Sequence, residues 1–193
     1  MPSLEVTTNF FLVLTLLADA AVVATVLFAL ACAVSPAARR AWVAMAEWLG
    51  PQSLLLAWIV SVVTTAGSLW YSEHFHFVPC ELCWFQRICM YPLSLLALFL
   101  AYHGDYRVTR YLLPFPVIGA GVSVYHILIE NHVVAKPTAC SIGAADCGVK
   151  WINYFGYMTI PTLALTGFVL LTILLGLAAA NPEETAATLP ADA

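Results

Sequence analysis

Charge is what this chain has least of. Asp, Glu, Lys and Arg make up 9% of its 193 residues, and the seven Lys and Arg form no cluster. Without a basic patch to neutralise phosphates, nucleic acid is excluded as a partner. The sequence also lacks a P-loop and a Gly-rich dinucleotide fingerprint, so no phosphate cradle is encoded. Nor does any polar domain interrupt its apolar stretches. With 62% hydrophobic residues and a mean hydropathy of +0.90, there is too little polar surface to coat a soluble domain. Lipid is the expected solvent, and one membrane domain the expected organisation.

A spanning helix needs roughly 20 apolar residues, and five runs meet that need: Phe10 to Val34, Ser53 to Tyr71, Trp84 to His103, Tyr111 to Glu130 and Tyr157 to Ala180. The first reads as a retained span and not as a secretory signal, because Met1 to Asn9 carries Glu5 and no Lys or Arg, and the apolar stretch exceeds a signal's. Cytoplasmic loops accumulate Lys and Arg. Arg39 and Arg40 follow the first run, and Arg107 and Arg110 lie between the third and fourth, so both loops belong inside. The N-terminus, the Cys80 loop and the loop from Asn131 to Met158 then lie outside, with Lys136 and Lys150 opposing the bias. The segment from Asn181 to Ala193, without Lys or Arg, reads as a disordered tail inside. Trp151, Tyr154, Phe155 and Tyr157 suit a short interfacial segment along the outer leaflet, and only secondarily a wall for a ligand.

Two cysteine pairs fall on the outer side, in an oxidising compartment. Cys80-Glu81-Leu82-Cys83 opens the third run, and Cys140 with Cys147 occupies the long polar loop. A CxxC at a helix start is a redox-active spacing, since the helix N-terminus favours thiolate and the short loop lets a disulfide form and break. The second pair gives those electrons a source. One turn below Cys83, about 6 Å deeper, comes Arg87. A guanidinium there lowers the thiol's pKa and can donate hydrogen bonds to a carbonyl oxygen on a ring beside the sulfur. The competing reading of Arg87 is an anchor snorkelling to headgroups. His126 falls at similar depth on the fourth run, where it could orient a second carbonyl or supply a proton, or simply be bonded within the bundle. A lipid-soluble quinone, entering laterally, fits such a slot.

The run Pro79-Cys80-Glu81-Leu82-Cys83-Trp84-Phe85-Gln86-Arg87, followed by Met90-Tyr91-Pro92-Leu93, resembles the disulfide-bond-formation protein B (DsbB) family, especially its BdbC-like branch. Tyr125-His126-Ile127-Leu128-Ile129 and the stretch from Trp151 to Pro161 carry the same likeness, which covers about Ser53 to Ala180. The resemblance implies an all-α integral membrane protein with a four-helix transmembrane bundle core. Residues 1–52 then hold an additional N-terminal transmembrane helix and a cytoplasmic loop, 53–180 the redox domain and 181–193 the tail. It further implies a multi-pass protein of the cell membrane that reoxidises a thioredoxin-fold, DsbA-like partner and passes electrons to ubiquinone or menaquinone. By position, Cys140 would take the mixed disulfide, Cys147 would exchange with Cys80, and Cys83 would face the quinone. Arg87 matches the family's quinone-site arginine, and His126 its histidine near the ring. The extra first helix departs from the family, and the six residues between Cys140 and Cys147 make a tight loop.

Two other readings compete. The vitamin K epoxide reductase family shares the chemistry, but there the loop pair precedes the CxxC, whereas here the CxxC comes first. A structural scaffold braced by two disulfides or a four-cysteine zinc site gives Arg87 no purpose. Among other residues, Cys32 and Cys89 read as small core hydrophobes, and Pro92, Pro114 and Pro116 as kinks. Asp19, mid-span, needs a partner, a proton or a place facing the bundle.

Overall fold

The computed structural model describes residues 3–104, 106, 108–138, 140 and 145–180. Among them lie five helical segments long and apolar enough to cross a membrane. They are α1 (Leu4–Val34), α2 (Pro36–Glu73), α3 (Glu81–His103), α4 (Pro114–Glu130), preceded by a 3₁₀ turn at Val108–Tyr111, and α5 (Ile160–Ala179). The protein is thus an all-helical membrane protein. Arg107 and the tail from Asn181 lie outside the described residues.

The helix ends follow from local chemistry. Ser3 Oγ accepts the Val6 N–H at 3.4 Å, and Glu5 sits in the first turn against the positive end of the helix dipole. Ser35 breaks the chain between α1 and α2 with extended backbone, then caps α2 through Ala38 N–H, with Pro36 in the first turn. Arg39 Nε donates to the Cys32 carbonyl at 2.7 Å, satisfying an orphan acceptor at the end of α1. α3 stops at Gly104, whose φ of 67° is the left-handed cap that glycine adopts without strain.

Several boundaries differ from the sequence expectation, with α1 beginning at Leu4 and not at Phe10. α2 begins at Pro36 and not near Ser53, because residues 37–49 are mostly Ala, Met, Glu, Leu, Trp and Arg with neither Gly nor Pro to stop a helix. Pro51 sits inside it, and its carbonyl accepts the Tyr106 hydroxyl at 2.8 Å. Pro114 and Pro116 start α4 instead of kinking it, since a missing N–H costs nothing in the first turn. Only Pro92 lies deep in a helix as expected.

Helices α2, α3, α4 and α5 pack as a ring, with α1 laid outside against α2 and α5. The core gathers Leu54, Ala57, Met90, Leu93, Phe168 and Leu171 with Cys89, while Cys32 is only half-buried. α1 is held at three heights. The Tyr71 hydroxyl donates to Thr8 Oγ1 at 3.3 Å, the Phe11 ring lies where a Cβ on Gly67 would fall, and Thr166 Oγ1 on α5 donates to Asp19 Oδ1 at 2.6 Å. The mid-span carboxylate therefore has its partner on the bundle. The α2–α3 connection and the α4–α5 connection meet at one end, where Trp151 stacks on Phe77 with centroids 4.8 Å apart.

Gly119 on α4 is fixed by close approach: a Cβ there would overlap the ring of Phe168, which is fully buried and has nowhere to move. Gly119→Ala should cost about 1–3 kcal/mol through overpacking, read as a lower thermal midpoint in detergent. Gly121→Ala, whose Cβ meets nothing within 4 Å, should hold the midpoint or raise it slightly, since Ala is the better helix former.

Candidate redox site

The Cys80 side chain caps α3. Its Sγ accepts the Cys83 N–H at 3.3 Å, which places both sulfurs of the CxxC on the first turn, 2.9 Å apart and unbonded. Cys140 and Cys147 are bonded to one another, with Cα atoms 5.4 Å apart. All four pack in one buried cluster with Leu82 and Ile129. His126 joins the pairs. Its Nε2 lies 3.0 Å from the Cys147 carbonyl, which only accepts, so this nitrogen carries the proton. The same Nε2 lies 3.7 Å from Cys80 Sγ.

These contacts act on Cys80. The Cys83 thiol hydrogen-bonds to it, and His126 adds a hydrogen bond and its charge; together they outweigh burial and hold the Cys80 thiol down to about 4. From the sequence, thiolate character belonged to Cys83 above Arg87. The structure gives it to the capping residue, because a cap's side chain faces the unpaired N–H groups of the first turn. Cys140 and Cys147 are each only 1% exposed. Beside the loop, Lys136 pairs with Asp146 at 2.7 Å, and that ammonium, with the Gly148 N–H, holds the Asp146 carboxyl below its usual range.

On the other side of Cys83 lies a cavity of about 480 Å³, a volume typical of small-molecule sites. Cys83, Arg87, Gln86, Ser68, Tyr71 and Trp151 surround one part of it. Arg87 is anchored on α2: Nε donates to Ser68 Oγ and a terminal nitrogen to the Ser68 carbonyl, each at 3.1 Å. Its guanidinium also lies 5.3 Å from the Trp84 ring centroid and 6.0 Å from that of Tyr91. Ser68 thus fixes the plane and leaves other N–H donors for a ligand oxygen. A quinone ring fits this donor set and this volume.

His126 does not join Arg87 here. It lines a separate cavity of about 20 Å³ with Cys80, Cys83 and Glu130, so its place is between the two sulfur pairs. Of the aromatic segment, Trp151 lines the large cavity, whereas Phe155 and Tyr157 stay exposed around a turn closed by the Tyr154–Met158 bridge. With Cys140 and Cys147 bonded to each other, no four-cysteine metal site is assembled. The ligand atoms of Cys80, Cys83 and His126 do lie within 4.8 Å of one another.

Three participants escaped the sequence reading. Ser68 gives no signal, being one of many small polar residues on apolar helices. Gln86, beside Arg87, was legible as a second polar residue in a span, and it donates to Ser123 Oγ at 3.0 Å. Glu130 is one helical turn beyond His126, a spacing that could have flagged it. It is 4% exposed, and its Oε2 and His126 Nδ1 are both buried without hydrogen-bond partners.

An acidic thiol, a second thiol in contact and a disulfide in the same cluster form the arrangement of a dithiol–disulfide exchange site in a membrane protein. Comparison with known proteins agrees. The family model described as "Disulfide bond formation protein DsbB" matches residues 50–178, and the chain belongs to that family. Disulfide bond formation protein C of Bacillus subtilis is 40% identical over 131 residues, covering 68% of this chain and 95% of the relative. Probable disulfide formation protein C of Bacillus cereus is 42% identical over 121 residues, covering 63% and 87%. The probable disulfide formation protein of Metapseudomonas resinovorans is 37% identical over 123 residues, covering 63% and 85%. No solved structure matches.

The lowered Cys80 value makes a prediction about pH. A folded value of about 4 against an ordinary 9.0 means thiolate persists as pH falls and is lost only on passing through the lower value. In the reduced protein, the rate of iodoacetamide labelling at Cys80, read by mass spectrometry, should therefore stay flat from neutrality down to about pH 4, allowing for the buried site's slow access. His126→Phe should move that inflection upward, and Cys83→Ala should move it further.

Proposed function

We propose that this protein is a membrane thiol:quinone oxidoreductase that reoxidises a secreted thioredoxin-fold, DsbA-like dithiol protein. The observation that carries the reading is the double exposure of the CxxC: Cys80 packs with the loop disulfide, while Cys83 lines the cavity that holds Arg87.

The roles follow the order of contact. A thiolate of the partner attacks Cys140, forming a mixed disulfide and releasing Cys147 as the leaving thiolate. The partner's second thiol resolves that bond and leaves with its own disulfide. Cys147, in the same cluster as Cys80, passes the two electrons by exchange to the CxxC. His126 holds the Cys147 carbonyl and touches Cys80 Sγ, which supports its role in positioning this exchange. A quinone, when bound, supplies the sink, taking two electrons and two protons to become a quinol. Arg87, oriented by Ser68, is placed to donate to its carbonyl oxygen, and Cys83 is the sulfur nearest to that site. By the distribution of Arg39, Arg40 and Arg110, the cysteine end and the N-terminus face outward and the C-terminus faces the cytoplasm.

The deciding experiment is quinone reduction by the purified protein with a reduced thioredoxin-fold donor. Cys83→Ala should abolish it, and undiminished turnover would remove the mechanism. Arg87→Gln should raise the KM for quinone about tenfold, the worth of one charge-assisted hydrogen bond, with a smaller change in the KM for the donor. Equal losses in both would count against the assignment. On non-reducing gels, Cys147→Ser should accumulate a partner mixed disulfide and Cys140→Ser should trap none; the opposite pattern would exchange their roles.

A further inference from the structure

The helix that the family match leaves out is a wall of the cavity. The match begins at residue 50, yet Phe11, Leu14, Thr15, Leu17 and Ala18 of α1 all line the same space as Cys83 and Arg87. The cavity is also longer than a ring requires. Along α2 its lining runs from Ser72 to Ile59, a rise of about 20 Å at 1.5 Å per residue. Its two ends differ in chemistry. By height along the helices, Arg87, Ser68, Tyr71 and Ser72 line the end near Cys83, whereas Ile59, Val60 and Val63 of α2, Leu170 of α5 and Leu17 and Ala18 of α1 line the far end, with the hydroxyls of Thr64 and Thr166 as its polar groups. Nothing charged lines that far end.

We propose that α1 completes a tail channel: its face at Leu14, Leu17 and Ala18 would seat the polyprenyl chain of a quinone whose ring Cys83 and Arg87 would hold. This rests on the quinone reading above. The occupant follows from continuity. A ligand with a polar ring at the Arg87 end and an apolar chain leading away fills both ends of one space, and a ring alone fills only the first. The attachments of α1 keep that wall in place. Phe11 packs over Gly67, Thr8 holds Tyr71, and Thr166 holds Asp19 one residue beyond Ala18. The bond at Asp19 fixes the rotation of α1 about its axis, so that Ala18, a small residue, faces the channel where a larger side chain would obstruct it.

The test compares quinones that share a ring and differ in the tail: a polyprenylated naphthoquinone against tail-less menadione, and a polyprenylated benzoquinone against its tail-less parent. Ala18→Trp blocks the channel from α1, and Leu14→Trp does so nearer the ring should the first variant fold poorly. In the pair whose ring the wild type accepts, the ratio of tailed to tail-less KM should rise about tenfold or more in the variants, the scale on which a filled apolar pocket rejects added carbon. The tailed quinone retained by the purified protein, measured after solvent extraction, should fall in parallel. A ratio and a retained amount equal to wild type would overturn the inference and leave the far end to a lipid acyl chain. Failure of the wild type to reduce any of these quinones would sink the quinone reading itself, and this proposal with it.

Discussion

The sulfur of Cys80 is the atom around which the rest of the structure is arranged. It caps α3, accepts from the Cys83 N–H, contacts His126 and packs against the loop disulfide. Each contact alone is ordinary. Together they place a thiolate at the one point where a helix N-terminus, a neighbouring thiol and an imidazole all favour negative charge. That site sits at the end of the bundle, where α1 starts and the two loops meet, and the core from Leu54 to Leu175 keeps the four surrounding helices in register below it. The packed bundle serves mainly to hold the first turn of α3 against the last turn of α4.

Much of this was legible. Apolar run lengths gave the five spans because in lipid a backbone must satisfy its own hydrogen bonds, so a run of the right length has no alternative to helix. Cys80 and Cys83 were readable from spacing, and Arg87 from the cost of a guanidinium in a membrane. What resisted reading was direction. His126 and Arg87 have similar depth on neighbouring spans, and depth alone placed them together. The rotation of α4 about its axis decides otherwise, and that rotation is set by packing such as Gly119 against Phe168, which no period in the sequence announces. The start of α2 was missed for a different reason. Residues 37–49 carry Arg39, Arg40 and Glu47 and so fell outside the apolar run, yet they are mostly good helix formers, and a hydropathy pattern cannot distinguish a more polar helical turn from a loop.

Arg87 illustrates how a costly residue is made tolerable. Ser68 takes two of its donors and two aromatic rings flank it, so the charge is partly solvated by the protein itself. The arrangement also removes freedom. A guanidinium fixed in plane by a neighbouring helix loses little entropy when a ligand oxygen arrives, which is the advantage of preorganisation over a mobile side chain. The snorkelling reading of Arg87 therefore gives way to one in which its head is turned inward and held.

On the function proposed above, the position of the CxxC across a partition lets one short motif deal with two unlike reactants. Residues three apart on a helix's first turn stand close enough for their sulfurs to bond, yet they point to different neighbours. Cys80 faces the polar cluster of the loops and Cys83 the apolar cavity. Forming or breaking a bond between them transfers an electron pair from one environment to the other with no movement of the helix that carries them. A protein thiol attacks best where its thiolate is hydrated or hydrogen-bonded, and a lipid-soluble oxidant binds best where water is excluded. No single pocket meets both demands. Placing the two sulfurs on either side of a helix end meets them in adjacent pockets.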